Sequence, residues 1–373
     1  MPKPLPPNQY LPETRWHTAY EKCLNLEILP ATPQRTPSLQ MCARVLGYMM
    51  LEAPLPAGRD NVSNEIVDCA DAEALRRLAR LYMDTFVYRL IRAAKGRTPA
   101  SSNHPSRPSF DNIKETFKYL LEDAPRDHRT VTQLALIRDN FRCIVTGIHD
   151  KACCLKMPEL NRMINAQQLP VTGTQAAHIF PESTSQGISE MNEQGRKVRL
   201  LFSYSFTFHA RSHVQSKFSL SLFSYSLALN NKPIDNQSNV NVVAELNGSD
   251  IHRLENVMTL SLNLHEMFGN LEIWFEETPT AHRYRIRGID PMLVEGLPEF
   301  VEFTSTDPAL PLPEPRYLRL HAACAKVAHL SGAGEYIDTV FRDIEEMPVL
   351  ANNGASADAL SYALLRRGDI AVF

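Results

Sequence analysis

The sequence predicts an α+β protein, and three observations carry that expectation. Residues 71–96 place Leu75, Leu78, Leu81, Tyr82, Phe86 and Leu90 at helical spacing behind an acidic start and ahead of Gly96. Short runs bounded by turn residues, at 271–275, 284–286 and 300–303, read as a hairpin and a further strand. Between these regions, an apolar run ending on His178 and a second run opening on Asn256 and leading to His265 read as strand, loop, strand, helix. Helices and strands that segregate along a chain in this way point to α+β.

Taken in order, residues 1–40 are rich in proline, which removes the amide donor that helices and inner strands use. An extended lead-in is expected there, with a short strand at 24–29 at most, and an apolar patch follows at 44–51. The helix at 71–96 presents Arg76, Arg77 and Arg80 opposite its apolar stripe. They read either as contacts to a phosphate backbone or as a solvated face. Residues 97–110 form a Pro/Ser linker. Helices are expected at 111–122 and 130–139, then a strand at 141–147 closed by Thr146-Gly147, then a polar helical stretch to 170. After the hairpin and strand, a proline-rich connector at 307–315 precedes helices at 316–330, 334–347 and 357–367.

Composition narrows the class. Hydrophobic residues at 44% and charged residues at 22% fit a folded globular chain. The net charge of −3 supplies no global attraction to nucleic acid, so any such binding needs a local basic face. Seven irregularly spaced cysteines read as reduced thiols, and the start MPKPLPPNQY lacks a signal-peptide pattern. The expectation is an intracellular protein, nuclear or cytoplasmic, with no membrane span. Residues 196–235 are dominated by Ser, Phe, Leu and Tyr, a low-complexity insertion. They read as translated non-coding sequence, as a β-rich insertion, or as an aromatic surface for nucleic acid.

Phosphodiester hydrolysis needs a base for water, a cation for the phosphorane and leaving oxygen, and a means of holding the base in one tautomer. The order His178, Asn256, His265 suits a ββα-metal site, with a strand end carrying the base and a helix carrying a ligand. His252, shortly before Asn256, reads as a substrate contact or a plain loop residue. His149 and Asp150 read as loop residues, and His321 and His329 as packing or surface residues.

AHIFP at 177–181, followed by N-x-x-x-L-x-x-x-x-H-x-x-F from Asn256, resembles the HNH endonuclease family, in the branch with alanine before the first histidine. The flanks RDNFRCIVTG and LEIWFEE and the tail PRYLRLHAACAKVAHLSGAGEYI are similar to fungal HNH-domain proteins, and the motif-bearing core covers about 134–275. The resemblance implies a ββα-metal HNH core among flanking helices and a metal-dependent endonuclease acting on DNA. In it His178 is the general base, Asn256 orients the base or contacts the metal, and His265 ligates Mg²⁺ or another divalent cation.

Two positions depart from that pattern. Gly269 stands one helical turn after His265, where an aspartate or histidine often completes the metal pair. Ala177 stands where other branches carry a ligand. Glu266 or Glu272 could compensate. Many family members also use cysteine pairs for structural zinc; here Thr146 replaces one of them, so no structural zinc is expected. The implied organisation is a proline-rich lead-in at 1–40, a helical region and linker at 41–110, an HNH-like domain at 111–290 and a helical region at 291–373. The rival reading is a catalytically degenerate HNH fold that serves as a nucleic-acid-binding or protein-interaction module.

Overall fold

A computed structural model describes residues 2–30, 37–83, 87, 126–181, 245–246 and 248–346. The expected linker at 97–110, the helices at 111–122 and 357–367 and the low-complexity stretch at 196–235 lie outside the described residues. The fold is mixed α+β, and its described residues fall into two compact units. The first lies within Met1–Arg89 and Ala323–Phe373, the second within Leu90–Thr184 and Val242–Ala322. Among the described residues no helix is long and apolar enough to cross a membrane.

In the first unit, α1 (Arg15–Glu27), α2 (Leu39–Leu51), α3 (Pro56–Asp68) and α4 (Ala72–Tyr82) pack together. Helix α1 corrects the expected extended lead-in and its strand at 24–29. Residues 13–29 contain no proline, Thr14 caps the helix through the His17 amide, and Ala19, Tyr20, Cys23 and Leu26 form its buried face. Flanking prolines had hidden an uninterrupted helical window. The apolar patch at 44–51 is most of α2, which is buried almost all round. Helix α4 buries Ala74, Leu75, Leu78, Ala79 and Tyr82, and the Asp71 carboxylate accepts the Ala74 N–H at 2.7 Å.

The second unit begins with α5 (His128–Arg138). It continues through the two-residue β1 (His149–Asp150), α6 (Lys151–Lys156), α7 (Pro158–Gln167) and β2 (Val171–Thr172), which pairs parallel to β1. Residues 141–147 are not the expected strand. Asn140 and Phe141 both hold positive φ, 55° and 54°, which breaks extended pairing, so only Arg142 bridges to His149. The segment folds instead into a tight turn. The Gly147 amide returns to the Cys143 carbonyl at 2.9 Å, and Gly147 takes φ 68°, which glycine adopts without strain.

The central hairpin is β3 (Thr174–His178) against antiparallel β4 (Val257–Ser261), with His178 opposite Val257. Helix α8 (Leu262–Gly269) follows β4 without a loop. A three-stranded antiparallel sheet, β5 (Ile273–Glu277), β6 (Arg283–Gly288) and β7 (Phe300–Glu302), matches the expected hairpin and extra strand. Two expected helices also form: α9 (Pro315–Ser331), which begins within the second unit, and α10 (Ala333–Glu346).

One polar pair ties this unit together. Arg138, at the end of α5, is fully buried. Its guanidinium donates twice to Asp139 (2.7 and 3.0 Å) and also to the carbonyls of Leu254 (3.0 Å), Val257 (2.8 Å) and Pro311 (3.3 Å). Asp139 in turn accepts the Thr259 N–H of β4 at 2.9 Å. Around the pair lie Val131, Ala135, Leu136, Ile137, Leu254, Val257 and Leu310. Removing one partner leaves an uncompensated charge among these side chains. Asp139→Ala should therefore cost about 3–5 kcal/mol in urea unfolding, far more than alanine at the exposed pair partner Asp68.

Candidate active site

His178 ends β3 and Asn256 immediately precedes β4, so antiparallel pairing alone brings them together. Asn256 is fully buried, and its side chain is spent on the backbone. Its Oδ1 accepts the Phe180 N–H at 2.9 Å. Its Nδ2 donates to the carbonyls of Phe180 at 2.8 Å and Ile251 at 2.9 Å. The Asn256 carbonyl also accepts the Ile179 N–H at 2.8 Å. Asn256 thus clamps the chain after His178 to the 3₁₀ turn Gly248–His252. All three of these side-chain bonds run to backbone groups of Phe180 and Ile251.

The clamp sets His252 beside His178. Nδ1 of His252 lies 3.2 Å from Nε2 of His178, a hydrogen bond across 74 residues of chain. A third imidazole, His128 in the first turn of α5, stacks on His178 with ring centroids 5.6 Å apart and 27° between planes. It meets His252 nearly edge-on at 6.2 Å. Burial, and after it the like charges that His128, His252 and His265 would carry, push the His178 pKa down to about 3. His178 is therefore neutral at physiological pH, as a base must be before it takes a proton.

His265 lies on α8, half-buried, and its pKa is lowered first by burial and then by His128, against an opposing pull from Glu266. A neutral imidazole there is a competent metal donor. The other donors named from the sequence contribute less. Glu266 is exposed, Glu272 is half-buried beyond the helix, and Gly269 carries none. Ala177 points into the core at 1% exposure, opposite in sense to its neighbour His178 as strand alternation requires. Among the described residues no three His, Cys, Asp or Glu side chains group to hold a metal. A cation at His265 would have to take its remaining ligands from water and substrate phosphate oxygens, as Mg²⁺ can where protein ligands are few.

His149 and Asp150 are not loop residues. Both are buried in β1, where Asp150 caps α6 through the Cys153 amide and accepts from the amide and hydroxyl of Thr174. His321 is a packing residue, stacked on Phe268 at 3.9 Å, with Nε2 3.2 Å from the Phe268 carbonyl. Cys143, Cys153 and Cys154 are buried free thiols, and Thr146 takes a turn role, accepting the Ile148 N–H at 3.3 Å. In the first unit, Arg76 makes a two-pronged pair with Glu73 (2.7 and 3.0 Å), Arg77 is exposed and lies 4.0 Å from the same carboxylate, and Arg80 is half-buried on α4. No local pattern marked His128: its spacing from the other histidines has no helical or strand period.

Residues 143–276 match the family model described as HNH endonuclease, and this stretch is an HNH endonuclease family domain. The matched span contains β3, β4 and α8 and with them His178, Asn256 and His265. No curated protein and no solved structure matches the chain.

The buried neutral imidazoles make stability depend on pH. In the unfolded chain they protonate near the ordinary histidine value of about 6.5; in the folded protein His178 and His321 do so only at about 3. Between those values the unfolded state binds more protons, so stability is full above the unfolded pKa and falls as pH drops through the window. Each such histidine should remove up to about 1.4 kcal/mol per pH unit below the unfolded value. Urea unfolding at pH 7.5, 6.0 and 5.0 should show this, and His321→Leu should flatten the acid slope by one proton's worth, whatever its effect at pH 7.5.

Proposed function

We propose that the second unit is a divalent-cation-dependent endonuclease that hydrolyses phosphodiester bonds of DNA, with His178 as general base. The observation that carries this reading is the neutral imidazole of His178 at the end of β3. It is clamped by Asn256 and stands in one cluster with His265 from the following helix. The HNH endonuclease match over residues 143–276 supports nuclease-type activity.

In this reading His178 takes a proton from the water that attacks phosphorus. Asn256 holds the backbone on either side of the turn so that the ring does not swing away. Burial and neighbouring imidazoles keep His178 unprotonated until the phosphate arrives, and that negative charge then favours proton uptake. A cation on His265 would supply charge stabilisation to the leaving 3′ oxygen. Arg77, with Arg76 and Arg80, is proposed to contact the DNA backbone. The thin donor set around His265 favours one second reading, a binding module that has lost cleavage.

Plasmid nicking separates the two readings. The nuclease reading expects Mg²⁺- or Mn²⁺-dependent nicking that His178→Ala lowers by about 10²-fold or more. His265→Ala should raise the cation concentration needed for half-maximal rate. Nicking unchanged by His178→Ala would end the assignment of the base. DNA retention without any nicking would favour the binding module. With the cation completed by substrate, the free protein should bind Mg²⁺ weakly by calorimetry, and added DNA should tighten that binding. Separately, Arg77→Glu with Arg80→Glu should lower the salt slope of DNA retention by roughly one unit per lost phosphate contact.

A further inference from the structure

His178 can act as a base only through a nitrogen that carries a lone pair, and one of its two ring nitrogens is already engaged. Nε2 lies 3.2 Å from Nδ1 of His252, while Nδ1 of His178 hydrogen-bonds to none of the described residues. One of the facing nitrogens must therefore donate and the other accept. If His252 donated, the lone pair of His178 at Nε2 would be consumed and the Nδ1 would carry the proton, leaving no base. If His178 donates, its Nδ1 lone pair is free.

We propose that His252 is a positioning residue for the base: its Nδ1 accepts the Nε2–H of His178 and so holds His178 in the tautomer whose Nδ1 is open to water. The direction of this hydrogen bond rests on the nuclease reading above, whereas the contact between the two rings does not. Three features of the site agree with it. The Ile251 carbonyl, one residue before His252, is held by Nδ2 of Asn256 at 2.9 Å, so the same buried amide fixes both partners. The His128 ring stacks on His178 and meets His252 edge-on, which limits rotation of both rings. Asp127, the residue before His128, carries a carboxylate held below its usual range, chiefly by the Thr130 amide and in smaller part by His252. A negative group thus lies within electrostatic reach of His252 on the side of α5.

The proton balance is simple. The attacking water loses a proton to Nδ1 of His178 as its oxygen bonds phosphorus and the P–O3′ bond breaks, and the departing 3′ oxygen takes a proton from solvent water. The Nε2–H, now part of an imidazolium, strengthens its bond to His252, and the Asp127 carboxylate offsets the positive charge shared across the two rings. No external oxidant or reactant other than water enters. The arrangement uses the same logic as a base held by a third group in a catalytic triad, with an imidazole as the holder.

The test uses the full chain and two variants, His252→Ala and His252→Asn. The asparagine carbonyl can accept from His178 much as the imidazole Nδ1 does; alanine cannot. Long-range ¹⁵N–¹H correlation spectra of ¹⁵N-histidine-labelled protein should show His178 as the Nε2–H tautomer in the wild type. That tautomer should be retained in His252→Asn and give way to mixed or Nδ1–H tautomers in His252→Ala. An Nδ1–H tautomer in the wild type, or a His252→Ala spectrum unchanged at His178, overturns the proposal. In nicking assays His252→Ala should lower kcat by roughly 10–100-fold with KM for DNA little changed, as for other supporting residues of catalytic sites, and His252→Asn should restore most of it. A loss confined to KM also overturns the positioning role. The spectra decide the placement of His252 even if the wild-type protein nicks nothing, an outcome that removes the nuclease reading alone.

Discussion

The second unit depends on a guanidinium taken out of water. Arg138 has no exposed surface, and its cost of desolvation is met only because each face of the fork finds an oxygen. Asp139 takes two of its bonds, and the carbonyls of Leu254, Val257 and Pro311 take the rest. A buried ion pair is weak evidence of net stability, but it is demanding about geometry. Here the demand falls on the turn before β4 and on the first residue of β4 itself, while Asp139 holds the Thr259 amide on the far edge of that strand. The last turn of α5 thereby sets where β4 starts.

That placement is inherited by the site. Because β4 starts at Val257, Asn256 falls opposite the exit of β3, and its amide bonds Phe180 on one side and Ile251 on the other. The two segments that carry His178 and His252 are thus pinned by one side chain. Helix α5, positioned through Arg138 at its end, brings His128 at its start over the same pair. Three imidazoles meet because one charged and one amide side chain are buried and satisfied. Substitutions in that polar core should act on the site without touching it.

Much of this unit is legible in the sequence. The strand ending on His178, the entry of the second strand at Asn256, the helix with His265, the β5–β6 hairpin and the helix with His321 follow from runs and spacings a few residues long. The misreadings are equally local in cause. Proline count hid α1 because the prolines flank its window and do not enter it. The run from 141 looked extended because its side chains suit a strand, yet two consecutive residues with positive φ, one of them Phe141, turn the chain. Asp150 looked like loop chemistry and proved to be a buried cap.

The sequence alone determined the kinds of groups present and their order: a histidine at a strand end, an asparagine at the next strand's start, a histidine on the helix after it, and no donor at Gly269 or Ala177. Period and spacing report such things because they reflect the backbone within a few residues. Only the tertiary structure decided that Asn256 spends its amide on backbone, that His252 and His128 close on His178, and that burial lowers the His178 pKa. Those outcomes depend on contacts between segments far apart in the chain. They are chosen by which packing satisfies the buried polar groups, and no local pattern in the sequence records that choice.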